Sequence, residues 1–267
     1  TLIVVQSIAV MDEQLFRVFG SMLSVGAIAS FRYARRVAIL PVGVMAQAVG
    51  VASFPTMSHL FVKEKFDELK ELIRQQIAIL YFLNLAIVLI LITNNAEIIS
   101  LVYERGEFNN NDVLRVSSIM SIVAFGILPW SLNQIVTRAF YVQTNYWYPV
   151  LVGTSSTILA TLIILNIESK SEISYAIIII ASLFLYSLIL LTTLKIDGEK
   201  ILNKDLINDL IFSSIIYFVT LGLLQFLPIG DVGKILYILA SVTIITLPFI
   251  VSVRVIKMKY VKINKVR

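Results

Sequence analysis

Residues Val37–Ser58 read VAILPVGVMAQAVGVASFPTMS, a run without a single charged side chain. At 1.5 Å per residue a helix of this length crosses the roughly 30 Å hydrocarbon core of a bilayer. Working outward, the same kind of window recurs at Gln75–Ala96, Val116–Thr137, Ala139–Ile167, Ile173–Leu194, Leu210–Gly230 and Ile235–Val253. Thr1 to about Phe19 adds one more, apolar up to Met11 and then carrying Asp12, Glu13 and Arg17, so one side of it must face protein or water. The windows lack two-residue alternation and exceed the roughly 10 residues of a barrel strand, so helices are expected. The fold class expected is all-α, a polytopic membrane helix bundle of about eight transmembrane helices.

Composition agrees. The 267 residues are 58% hydrophobic and 15% charged, with mean hydropathy +0.89, against roughly 45–50% and 25% in ordinary soluble domains. The net charge of +5 and pI near 9.3 come from basic residues lying between apolar runs, which points to orientation in a membrane rather than to nucleic acid. Lys63, Lys65, Lys70 and Arg74, then Lys195, Lys200 and Lys204, then Arg254 to Arg267 fall on alternate connections, which places them and the C-terminus in the cytoplasm. The other connections hold little beyond Arg105, Lys170 and Lys234. There is no cysteine, and His59 is the one histidine, so thiolate chemistry and His-rich metal centres are excluded. Clustered carboxylates of the kind membrane enzymes use are also absent; no enzyme, cofactor or metal is expected. Thr1 sits inside an apolar stretch without a signal-peptide flank, and the chain is expected to be part of a longer polypeptide.

Two connections carry more than turns. Phe66, Leu69, Leu72 and Ile73 recur at helical spacing in Lys63–Gln76, which describes either an interfacial amphipathic helix or a solvated one with its apolar stripe on neighbouring spans. In Asn94–Asp112, with turn residues Gly106 and Asn109–Asn111, Asn111 or Asp112 is expected to cap the next helix.

The polar chemistry concentrates at the head of the opening span. Arg32 and Arg36 share a helix face, which continues through Gly43, Gln47, Gly50 and Phe54. A lipid-facing stripe would not be polar or small throughout, so this one should look at the bundle interior or a water-filled cavity. One reading has Arg32 and Arg35 snorkelling to the interface while Arg36 pairs with Glu13 or Asp12; the other has Arg36 offering its fork to a phosphate or pyrophosphate. Pro41 should kink or locally open the helix. A second stripe holds Ser117 and Ser121, then Asn133, Gln134, Thr137 and Arg138 beyond Gly126 and Pro129. Such residues in a span more often bond neighbouring helices than a ligand. The substrate-binding candidates are therefore Arg36, Arg35, Arg32, Gln47, Asn133 and Arg138, with Asp12 and Glu13 as weaker ion-coupling candidates.

The residues Tyr33-Ala34-Arg35-Arg36, Leu40-Pro41-Val42-Gly43 and Phe54-Pro55-Thr56-Met57-Ser58 resemble the YA-x-R, LP-x-G, LP-x-L-S pattern of the MurJ/MviN lipid II flippases. Val102-Tyr103-Glu104-Arg105-Gly106-Glu107-Phe108 resembles that family's F-x-x-G-x-F segment, and Arg138-Ala139-Phe140-Tyr141 with Thr144 and Pro149 its R-A-F-Y-A…T-x-x-P turn. The resemblance implies a multidrug/oligosaccharidyl-lipid/polysaccharide-type exporter of fourteen helices. Residues 1–194 would be its six-helix second lobe, and 195–267 a linker, two C-terminal transmembrane helices and a basic tail. It implies translocation of an undecaprenyl-pyrophosphate-linked peptidoglycan precursor across the bacterial cytoplasmic membrane by alternating access. The partners implied are that lipid-linked precursor, membrane lipids and an N-terminal lobe of the same protein. Exporters of other lipid-linked oligosaccharides, such as O-antigen or teichoic-acid units, and a non-transporting membrane module are the alternatives. Arg36 matches the family's cavity arginine. Two departures stand out: Arg35 occupies a place where the family commonly has Asp or a small polar residue, and Phe16 occupies the place of a sodium-binding Asp.

Overall fold

The structure, a computed structural model, describes residues 17–224 apart from Ser21 and Ser169, with side chains as far as Val219. After helical residues 17–20, the order is α1 (Ala27–Pro41), a π-helical segment (Val42–Gln47), α2 (Ala48–Val62), α3 (Phe66–Thr93) and α4 (Asn95–Tyr103). Then come α5 (Asn110–Val123), a 3-10 turn (Ala124–Gly126), α6 (Ile127–Val142), α7 (Trp147–Asn166), α8 (Glu172–Thr193), a hairpin of β1 (Lys195–Ile196) and β2 (Glu199–Lys200), and α9 (Lys204–Leu224). The all-α expectation holds. Five helical stretches are long and apolar enough to cross a membrane: Ala27–Val62, Phe66–Thr93, Asn110–Val142, Trp147–Asn166 and Glu172–Thr193. A chain built this way is a multi-pass membrane protein. The expected spans Thr1–Phe19 and Ile235–Val253 lie outside the described residues except for the end of the first, and the window at Leu210–Gly230 begins inside α9.

Pro41 has the effect expected of it. It lacks the N–H that an α-turn needs, and the helix widens into the π segment immediately after it. The buried face then steps every four residues, through Ala34, Ala38, Val42, Ala46 and Gly50. In an unbroken 3.6-residue helix each such step would rotate the face by about 40°. The wider turn takes up part of that rotation and keeps the face on α6, against which both the π segment and α2 pack.

Local chemistry sets other boundaries. Asn109, rather than Asn111 or Asp112, caps α5: its side chain accepts from the backbone N–H of Asn111 and Asp112, and the Asp112 carboxylate accepts from the Asn109 N–H. A separate interfacial helix at Lys63–Gln76 does not form. That stretch is the first turns of the continuous α3, with Leu69 and Ile73 fully buried on neighbouring helices, because apolar surface offered by the bundle is closer to hand than a membrane interface.

The two ends of the bundle are tied differently. At one end Lys70, at the start of α3, is buried between Asp67 at 3.0 Å and Glu199 at 2.5 Å. Arg74 donates to the carbonyls of Ile201 and Lys200. These contacts seat the β-hairpin, whose turn residues Asp197 and Gly198 both take positive φ, and they bring the basic connections 63–74 and 195–204 to one end. At the opposite end the Arg115 guanidinium of α5 bonds Glu172 of α8, Ser24 Oγ at 2.7 Å and the Val25 carbonyl at 2.8 Å. Gly26, at φ 88°, starts α1 against this guanidinium.

Candidate functional site

The arginines at the head of α1 part company in the folded chain. Arg35 is buried, 9% exposed, with its guanidinium 5.4 Å from the centroid of the Trp130 ring on α6, a cation–π contact that holds the two helices together. Arg32 is half-buried and also has interaction partners. Arg36 is exposed and makes no hydrogen bond or ion pair to the other described residues. It stands nine residues after the start of the Ala27–Val62 helix, roughly 14 Å along the axis, and directly before the charge-free run that begins at Val37. A guanidinium at the edge of a membrane-spanning run is retained where it meets water, a headgroup or a ligand. Asp12 and Glu13, the expected acidic partners, lie outside the described residues.

Gln47, the last residue of the π segment, is exposed, as are Gly43 and Val44 in the same segment. Gly43 has open space around it, with no atom within 4 Å of where a Cβ would stand, so close packing does not explain it. Gly50 is the reverse case. It is buried, and a Cβ there would meet Arg138 Nη1 at 2.7 Å and the Gln134 backbone oxygen at 3.1 Å. The polar stripe predicted from helical spacing is thereby split. Arg36, Gly43 and Gln47 are exposed, while Gly50 turns into the α6 seam because the π segment shifts the register.

On α6, Arg138 donates to the backbone and side-chain oxygens of Gln134, the latter at 2.8 Å, and is half-buried under Gly50. Asn133 is half-buried, its carbonyl accepting from Thr137 at 2.5 Å and its side-chain oxygen buried without a hydrogen bond. Ser121 accepts from Asn95 of α4 at 2.6 Å, so it bonds a neighbouring helix, as the commoner role of such residues has it. Arg36 and Gly50 are fourteen residues apart, roughly 20 Å along the axis. Arg36 and Arg138 therefore cannot grip one pyrophosphate together. The six candidates form an arginine group toward one end, Gln47 near the middle, and Asn133 with Arg138 toward the other.

Aromatic residues complete the surroundings of Arg36. Tyr33 lies 4.8 Å from Tyr103 and 5.5 Å edge-on from Phe108, and those two rings are 5.8 Å apart. Tyr103 and Phe108 belong to a sequence segment singled out above, yet nothing in its spacing tells that it folds onto α1. Trp130 likewise has no sequence signal beyond being one of two tryptophans. Among the described residues no group of His, Asp or Glu is placed to hold a metal ion.

Comparison with known proteins gives a consistent picture. The family model described as "Lipid II flippase MurJ" matches residues 2–252. The chain is 31% identical over 125 residues to a probable lipid II flippase MurJ of Rhizobium tropici, covering 47% of this chain and 24% of that protein. To the protein of the same description from Treponema pallidum (strain Nichols) it is 26% identical over 152 residues, covering 55% of this chain and 29% of that one. A solved structure titled "Lipid II flippase MurJ, inward closed conformation" superposes with a TM-score of 0.78 at 18% identity, over 95% of this chain and 52% of that one. The chain spans about half the length of that structure, and the matches cover about a quarter of these relatives.

Proposed function

Because the chain belongs to the lipid II flippase MurJ family, we propose that it forms part of a flippase that carries a lipid-linked peptidoglycan precursor across the bacterial inner membrane by alternating access. Residues 1–194 are the second lobe in this reading, and 195–267 the linker, two further helices and basic tail. The remaining lobe of the same protein and the precursor's undecaprenyl-pyrophosphate headgroup are its partners. The basic end, holding Lys70, Arg74 and the β-hairpin, faces the cytoplasm together with the C-terminus.

The observation that carries this reading is Arg36: exposed, without a hydrogen bond or ion pair among the described residues, and at the head of the apolar run Val37–Ser58. Its planar fork suits two oxygens of a pyrophosphate. Arg32, one turn away on the same face, adds to the positive field. Arg35 supports the site from behind, through Trp130, and Arg138 holds the α2–α6 seam at the far end. Gln47, roughly 15 Å along the axis from Arg36, is placed for the sugar portion rather than the phosphates.

The test is Arg36→Ala in the full-length protein, in cells depleted of their own flippase. Loss of growth rescue and of precursor export, with normal amounts of protein in the membrane, is the expected result. Unimpaired export would remove Arg36 from the site. Rescue of export of another lipid-linked oligosaccharide, and not of the peptidoglycan precursor, would reassign the substrate.

A further inference from the structure

A cluster of three aromatic rings lies one helical turn from Arg36. Tyr33 precedes Arg36 by three residues, so the two share a face of α1 one turn apart. Tyr103, the last residue of α4, and Phe108, from the loop after it, pack on Tyr33 with centroids at 4.8 and 5.5 Å. Gly106, at φ 61°, shapes the loop that returns Phe108 to this place. Three rings in mutual contact fix the position of each, and the edge-on Tyr33–Phe108 pair adds to the stability given by its buried area. The cluster thus forms a rigid wall on Tyr33, one turn from Arg36. Tyr103 is half-buried, and burial raises the pKa of its phenol while the Arg36 guanidinium draws it back down, which sets the two groups within each other's field.

We propose, building on the flippase reading, that the Tyr103 hydroxyl is a substrate-binding group that donates to the phosphate oxygens held by Arg36, with Tyr33 and Phe108 as its positioning residues. The chemistry is complementary. A pyrophosphate offers more acceptor oxygens than one guanidinium fork can use. A phenol adds a donor at neutral pH without adding a charge to a low-dielectric site. The ring also presents an apolar edge to the first isoprene units beyond the phosphate.

The experiment uses the full-length protein in vesicles containing an undecaprenyl-pyrophosphate-linked sugar, with initial transport rate measured against substrate concentration. Tyr103→Phe keeps the three rings and removes only the hydroxyl. It should raise the half-saturating concentration about tenfold, the size of one lost hydrogen bond to a charged group, with the maximal rate and thermal midpoint unchanged. Tyr103→Leu should impair both transport and thermal midpoint, because the cluster itself is broken. Half-saturation at the wild-type concentration in Tyr103→Phe, beside an Arg36→Ala variant that fails to transport, overturns the role of Tyr103 and leaves the flippase reading standing. Wild-type transport by both variants overturns both.

Discussion

Arg35 and Arg36 are adjacent in sequence and opposite in consequence. Arg35 lies on Trp130 and Arg36 stands free of the other described residues. Arg35→Gln should lower stability by about 0.5–2 kcal/mol through the lost cation–π contact. Arg36→Gln should leave it within about 0.5 kcal/mol while abolishing transport. Thermal midpoints of the detergent-solubilised variants, measured beside transport, separate the two. The same logic divides the glycines. Gly50→Ala drives a methyl into Arg138 and the Gln134 carbonyl and should cost about 1–3 kcal/mol, since the backbone oxygen cannot swing aside. Gly43→Ala meets nothing and should not lower the midpoint. The sequence ranks these glycines equally; only the neighbouring helix distinguishes them.

Among the elements, α5 and the β-hairpin rest on identifiable devices. The Asn109–Asp112 capping box satisfies N–H groups that the first turn of α5 leaves open. Asn109→Ala should cost about 1 kcal/mol, read as a lower thermal midpoint. The hairpin depends on Lys70, which is 4% exposed and carries two carboxylates. Removing both carboxylates in Asp67→Asn/Glu199→Gln strands a buried ammonium. That should destabilise by on the order of 1–3 kcal/mol, below the figure for fully buried pairs because both carboxylates are solvent-exposed. Lys70→Met should cost less, since no unpaired charge remains. A double variant no less stable than Lys70→Met would mean that Arg74, Ile196 and Ile201 seat the hairpin without help from the Lys70 ion pairs. Both isoleucines are buried, and α9 is further held to α3 through Tyr81–Ser214 at 2.8 Å and the Phe82–Tyr217 rings.

Across the whole molecule, the two ends differ in charge and in what ties them. This chain has no cysteine, so single substitutions in it, made in a full-length protein freed of any cysteines elsewhere, report sidedness. Asp197→Cys and Glu64→Cys, at the basic end, should react with a membrane-impermeant maleimide only after cells are permeabilised. Glu107→Cys and Lys170→Cys should react in intact cells. The opposite pattern would invert the orientation argued from the basic connections. The helix windows behind this topology were legible because a bilayer imposes length and charge rules on each span separately. Where one span ends and the next begins was less so. Arg138 interrupts an apolar window, yet the helix runs on to Val142, because a charged side chain next to a glycine-lined seam can be buried and bonded.

The helical membrane class, the positions of the five described spans and the opening after Pro41 could be read along the chain alone. Each follows from rules that act along a single helix: hydrophobic length, charge cost and the missing proline N–H. Packing between helices set which arginine is buried and which is exposed, where the polar stripe breaks, and that Tyr103 and Phe108 pack on Tyr33, one turn from Arg36. Those outcomes depend on which helix lies alongside and on a register shift across the π segment. A one-dimensional periodicity carries neither.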